Sequence, residues 1–571
     1  VRWDFEGAPA RGYDSELHAA SAVGRVFRLL PAHVRVATAA PRAEVDQRRV
    51  VAATFSEDGA ETTILRNAQK YRAEIRIGHG RKGETVASEL FPRHLLPESK
   101  TGHRLTIVFA ELPQHESDAF LQPQVRELTL PPDGDSRAVR FWFRTGDTAP
   151  RYDARVIVLY QNRVLQTLRY SAPLDGKTAI ALDAELDVYR LDDLDTRTRF
   201  DAALVANKAG ERMGVCLVVD GKAAYVAPAG LEQQVDKVSS ILDEATKLRK
   251  LPKTLGDEKL VEVMLKLSHE GNHLWTSLGL EQAGAKLARA RRVQVVAAKP
   301  GEYLPVEFLY ARPVPLQLTM CNHAAAALGG TNDAKCSTTD PATELCPVEF
   351  WGLSRVIEHV AWSDAKKHAA TARTRGLFES AVVGLSDRVP PADAKKLMTA
   401  LDLATDGKAH RATSWSDWTS KIAEHKPSLL VLLTHTTIFQ ITGGPALEMA
   451  GDILPIAAIE EKHLRAPASK DEPLVLLLGC DVKRAPIVYQ NAVERLKTKH
   501  AGVVLGTLST VLGPHAAAFA IALVEALSEA EASPTPMKFG DVLLDIKRKR
   551  LSAGDPFALT LVAYGDSEIR I

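Results

Sequence analysis

Two short stretches constrain this chain more than any others. One reads Leu429-Leu430-Val431-Leu432-Leu433-Thr434-His435, the other Leu474-Val475-Leu476-Leu477-Leu478-Gly479-Cys480-Asp481. Both are continuous apolar runs, too short for ordinary helices and preceded by a breaker, Pro427 or Pro473. Runs of this kind suit central parallel strands buried on both faces. Each ends in one reactive side chain, an imidazole or a thiol. Open α/β sheets bind their ligands beyond the carboxyl ends of the strands. Two neighbouring strands would therefore present His435 and Cys480 together at that edge, the arrangement that a cysteine nucleophile and its base require. The bland alternative is two buried residues that end two core strands.

At 571 residues the chain has room for two or more domains. A formal net charge of +1 gives no global reason to expect nucleic acid or an anionic membrane as partner. No apolar run approaches the ~18 residues of a membrane span, and the start does not read as a signal peptide. The cysteines (Cys216, Cys321, Cys336, Cys346 and Cys480) are sparse and odd in number. That usage fits a reducing cytoplasm better than a disulfide scaffold.

Residues 1–60 carry little pattern. From 61 to 230 short alternating runs and frequent turns predict an all-β, sandwich-like half. Its clearest hairpin sets Val215 to Val219 against Ala223 to Val226 across Asp220-Gly221. Nothing in it carries chemistry, so its expected role is recognition or assembly. From 231 to 571 helical periodicity, then alternating strands and helices, predicts a parallel-dominated sheet with helices on both faces. Phe350 to Ala361 reads as a helix there, and Ser416 as the cap of a helix over Asp417 to Glu424. Lys547-Arg548-Lys549-Arg550 reads as the solvated end of another helix. An insertion at about 318–348 gathers Cys321, His323, Cys336 and Cys346 among loops. These are candidate ligands for a structural, tetrahedral zinc, the alternative being unlinked thiols.

Several stretches, in order, resemble the CHAT domain family, bacterial caspase-like peptidases related to caspases, separases and gingipains. Val293 to Tyr310, with Leu304-Pro305-Val306-Glu307-Phe308-Leu309-Tyr310, resembles the family's opening strand and the segment after it. Leu432 to His435 resembles its histidine strand, Pro445 to Leu454 the following β-hairpin, and Leu476 to Cys480 its cysteine strand. Ala501 to Leu508 and Phe557 to Asp566 resemble its closing elements. The resemblance runs from about 245 to the C-terminus and leaves the β-rich half outside it.

The resemblance implies a caspase-like α/β fold and a cysteine endopeptidase that needs no cofactor for catalysis. Cys480 would be the nucleophile and His435 the general base, with the amides of Thr436 and Cys480 as the oxyanion hole. Asp481, Glu448 and Asp452 become candidates for a carboxylate that selects a basic residue before the scissile bond. Leu505 to Thr510, with Thr507 and Ser509, resembles the strand that lines the substrate. The implied setting is a regulated bacterial defence or cell-death system, its activating partner or signal sensed through the β-rich half. Two departures stand out: Thr436 replaces the usual Gly after the histidine, and Gly479-Cys480-Asp481-Val482 replaces the usual Ser-Ala-Cys-Glu-Thr. Thr436 favours the second reading, a catalytically inactive CHAT-like sensor or scaffold that binds partners.

Overall fold

The computed structural model describes residues 49–571, apart from 94–95, 114–119, 188–193, 195–196, 210–211, 247–251, 299–301, 317–318, 331–342, 362–375, 468, 470, 479–484 and 510–512. Residues 49–571 form one compact unit of mixed α/β structure.

Two five-stranded antiparallel sheets come first. One runs Ala60–Thr62, Val50–Glu57, Lys70–Gly78, Val139–Arg144, with Thr85–Leu90 also on Val50–Glu57. The other runs Ala181–Asp187, Arg163–Pro173, Arg151–Tyr160, His103–Glu111, Gln124–Leu130. Alternation turns Phe55, Tyr71, Phe141 and Phe143 of the first sheet, and Ile107, Phe109 and Tyr170 of the second, into one shared core. The Arg151–Tyr160/Arg163–Pro173 hairpin turns through Gln161 and Asn162 at φ 52° and 60°, the left-handed pair that a two-residue hairpin needs.

The remaining large sheet has twelve strands. Its order is Ala409–Ala412, Ala381–Leu385, Leu429–Leu433, Leu474–Leu477, Val503–Thr507, Leu561–Gly565, Val356–Val360, Arg292–Ala297, Ala202–Ala209, Arg212–Val219, Lys222–Val226 and Phe120–Leu121. Seven of its pairings are parallel and four antiparallel, so the sheet is mixed with a parallel majority. The two apolar runs are neighbours inside it, third and fourth from one end. Leu430, Leu432, Val475 and Leu477 face a core that includes helices Leu231–Thr246 and Glu258–Ser277. Leu429, Val431, Leu433, Leu474 and Leu476 face another that includes helices Pro391–Ala404, Gly513–Glu531 and Phe539–Ser552.

Four local expectations are corrected. The Asp220-Gly221 hairpin forms, but it belongs to the large sheet, because Ala202–Ala209 pairs in parallel with Arg292–Ala297. The stretch expected as a helix over Phe350 to Ala361 is one helical turn, Trp351–Ser354, followed by the strand Val356–Val360. Val356, Ile357 and Val360 are β-branched, and that strand closes the ladder between Arg292–Ala297 and Leu561–Gly565. Helix Trp415–His425 is capped by Ser414, whose hydroxyl accepts from the Asp417 amide at 3.1 Å; Ser416 already lies within the helix. Lys547 and Arg548 are buried rather than solvated, and Arg548 donates to the Leu353 carbonyl at 2.7 Å.

A buried ion pair joins the antiparallel sheets to the large one. Arg163, just after the hairpin turn, donates to Glu358 of the Val356–Val360 strand at 2.6 Å, with both side chains at most 3% exposed. The same carboxylate accepts from Gln294 and from the amide and hydroxyl of Ser567.

Candidate active site

The central strands fix the site's position through their register. Leu429–Leu433 pairs with Leu474–Leu477 from Leu429↔Leu474 to Leu432↔Leu477, a constant offset of 45, and Leu478 still donates to the Leu432 carbonyl at 2.9 Å. On the other side Ala381–Leu385 pairs through to Leu385↔Leu433, and the Ser386 amide donates to the Leu433 carbonyl at 2.9 Å. At His435 the chain leaves this sheet and opens a small antiparallel one, His435–Phe439, Gly444–Met449 and Asp452–Pro455. His435 therefore stands at the carboxyl end of a central strand, half-buried. Cys480, Asp481 and Gly479 lie outside the described residues.

Thr436 is buried and pairs across the ladder with Leu447. It is not among the non-glycine residues with positive φ, so this β-branched residue has no left-handed backbone.

Glu448 lies directly across the ladder from His435. Its carboxylate accepts from the Ser386 hydroxyl and, at 2.7 Å, from the Gly451 amide. The Ala450 amide adds a bond to the Leu385 carbonyl at 3.0 Å. Ala450 and Gly451 form the turn at φ 49° and 80°. Glu448 thus latches the small sheet onto the end of the Ala381–Leu385 strand. Asp452 is exposed and accepts from the Trp415 amide at 2.8 Å, at the start of helix Trp415–His425, where a carboxylate is stabilised by the helix dipole. Both acids hold structure together.

Thr507 ends the Val503–Thr507 strand and Ser509 follows it, both fully buried. Their hydroxyls, and that of Thr434 beside His435, have no hydrogen-bond partner among the described residues. Buried hydroxyls are ordinarily satisfied. Thr434 and the Thr507–Ser509 pair end or follow the two strands that flank Leu474–Leu477 on either side. The sequence marked Thr507 and Ser509 only through a resemblance, and Thr434 not at all; a hydroxyl closing an apolar run next to a histidine was the available signal.

The candidate zinc ligands are only partly gathered. The Cys321 amide donates to the Leu345 carbonyl at 2.9 Å, which draws the backbones around Cys321 and Cys346 together, and both thiols are buried. His323 is exposed, ahead of helix Ala324–Gly329, and its amide donates to Cys321 Sγ at 3.4 Å. Cys336 lies outside the described residues. Among the described residues no three His, Cys, Asp or Glu side chains form a metal-binding group.

A second acid–imidazole pair lies elsewhere. Glu307 of the Leu-Pro segment contacts His359 Nε2 at 2.5 Å, both fully buried beside Lys547. Burial alone would raise the Glu307 carboxyl, but His359 and Lys547 hold it below its usual value; burial lowers Lys547 in turn. Cys216 packs between the antiparallel sheets and the large one, its thiol pushed up to about 12 by burial, far from a reactive state.

No family model and no curated protein matches the chain. Among solved structures it is similar to the Arg-specific cysteine proteinase gingipain R, with a TM-score of 0.30 and 9% identity, over 60% of this chain and 76% of that one. A likeness at that level carries no argument about chemistry. No helix among the described residues is long and apolar enough to cross a membrane.

Proposed function

We propose that the chain is a caspase-like cysteine endopeptidase of CHAT type that acts on a protein partner. One observation carries the reading: the offset of 45 that relates the two central strands is also the separation of His435 and Cys480 in the sequence. Continued past its last described pair, Leu432↔Leu477, that register would set the Cys480 thiol level with the His435 imidazole at the edge where α/β sheets bind ligands. The buried hydroxyls of Thr434, Thr507 and Ser509, without a hydrogen-bond partner among the described residues, support a polar neighbour at the same edge.

An unassisted thiol is a few per cent thiolate near neutrality. His435 would take the Cys480 proton, the thiolate would attack the scissile carbonyl, and His435 would return the proton to the departing amine. Water would then hydrolyse the thioester. Amides of Thr436 and Cys480 would stabilise the oxyanion. The preference for a basic residue rests mainly on Asp481, because Glu448 and Asp452 already serve as a latch and a helix-start acceptor. The resemblance supports a bacterial defence or cell-death setting with activation by a partner.

The alternative is a catalytically inactive CHAT-like scaffold, favoured by Thr436, whose backbone is not left-handed. The test is labelling of wild type, Cys480→Ala and His435→Ala by a peptidyl acyloxymethyl ketone ending in Arg, read by intact mass, with cleavage of matched peptide amides in parallel. The reading expects one adduct on wild type, none on Cys480→Ala and little on His435→Ala. Equal cleavage by wild type and Cys480→Ala would sink it.

A further inference from the structure

The strand Val139–Arg144 lies at the edge of the first antiparallel sheet and, among the described residues, pairs only with Lys70–Gly78. The register sets Lys70 opposite Arg144, Arg72 opposite Trp142 and Glu74 opposite Arg140. Directly opposed residues share a face. With Tyr71, Ala73, Phe141 and Phe143 turned into the core, these six point outward. Trp142 is 59% exposed, although burying an indole would stabilise the fold. The Arg72 guanidinium sits 5.7 Å from its ring centroid. Four cations share this face with Glu74, which lies 3.3 Å from Arg72 and 3.0 Å from Arg140; Asp147 at the strand's end lies 3.4 Å from Arg144. The face is positive although the whole chain is close to neutral.

The strand's open edge could in principle accept a peptide as an added strand. It is filled at its middle: the Gln124 side-chain amide donates to the Trp142 carbonyl, and the Trp142 amide donates to Gln124 Oε1 at 3.2 Å. That leaves the outward face as the available surface. An exposed indole flanked by guanidinium and ammonium groups matches stacking bases joined by phosphates.

We propose that this face binds single-stranded nucleic acid, a base stacking on Trp142 and phosphates meeting Lys70, Arg72, Arg140 and Arg144. The proposal is independent of the peptidase reading. It gives the β-rich half a ligand that net charge alone did not suggest.

The test is fluorescence anisotropy of a 5′-fluorescein 12-mer of dT, and of U, with the whole chain. Binding at 50 mM salt is expected, with log K falling against log salt at a slope of about −2 to −3 for three to four phosphate contacts. Trp142→Ala should weaken binding about 5- to 150-fold, with an unchanged melting temperature because the ring is exposed. Should that variant misfold, Arg140→Gln/Arg144→Gln tests the same face and should flatten the salt slope. Cys480→Ala should bind as wild type does. No anisotropy change at 50 mM salt would overturn the proposal, as would wild-type affinity in both face variants. Tighter binding of a 12-base-pair duplex would overturn the single-strand assignment, and equal affinity for labelled poly-glutamate would assign the face to an acidic peptide instead.

Discussion

Replacing Glu358 with Ala should be among the most damaging single changes outside the candidate site. The carboxylate accepts four hydrogen bonds, from Arg163 at 2.6 Å, Gln294 at 2.9 Å, and the Ser567 amide and hydroxyl at 3.0 and 2.9 Å. Its loss leaves the Arg163 guanidinium charged, 3% exposed and stacked over Phe200, with one arm that already has no acceptor among the described residues. Removing one partner of a buried pair costs about 3–5 kcal/mol. For a chain with a urea slope of about 4 kcal/mol/M, that lowers the midpoint by roughly 1 M. The double variant Arg163→Met/Glu358→Leu removes both charges and should recover most of the loss, since apolar replacement of a buried pair is often neutral or better. Urea titration by tryptophan fluorescence, with hydrogen exchange across 156–170 as a local readout, measures both. A midpoint for the double variant at or below that of Glu358→Ala would refute the buried-clamp argument.

Three further outcomes are expected. Glu448→Gln weakens the latch from Ser386 and should lower peptide cleavage while costing about 1–2 kcal/mol of stability, the difference between charged and neutral acceptors; Ser386→Ala should reproduce the direction of both effects, and an unchanged rate in both would remove the latch from the site's assembly. Burial lowers the His463 imidazole from its usual 6.5, although its Nδ1 also lies 3.0 Å from the Glu460 amide and 3.3 Å from the Glu460 carbonyl, the latter opposing the shift. With a depressed folded pKa, its contribution is fully present above about pH 6.5 and is lost as pH falls through the lower folded value. Melting temperature should therefore drop between pH 7 and 5, and less steeply in His463→Asn. Gly271→Ala would place a methyl 1.8 Å from the Phe308 carbonyl oxygen, a backbone atom that cannot swing aside, so the variant should yield little folded protein on expression.

The parts of the fold that depend on local chemistry were legible. The runs at 429–433 and 474–477 could hardly be anything but central strands, and Asp220-Gly221 specified its own turn at φ 48° and 71°. What escaped depends on distant partners. Val356–Val360 shows a short apolar pattern that suits either a helix or a strand, and the ladders on both sides of it decide. Lys547 and Arg548 look solvated in a basic run, but Glu307 and the Leu353 carbonyl, both well over a hundred residues away in the chain, draw them inward. At the candidate site His435 was legible from where its strand stops. The latch role of Glu448 was not, because it depends on Ser386, 62 positions earlier.

The parallel pairing of Ala202–Ala209 with Arg292–Ala297 has a practical consequence for anyone making pieces of this protein. Composition invites a cut near residue 230, between the β-rich and α/β portions. Such a cut would split a single sheet and give each fragment a raw strand edge with its row of unmet amides and carbonyls, of the kind that recruits further copies into aggregates. Soluble fragments are better sought by keeping residues 202 onward with the α/β portion and ending the β-rich piece before them, even though the short pairing of Phe120–Leu121 with Lys222–Val226 and the bonds of Arg163 and Arg155 would then be severed.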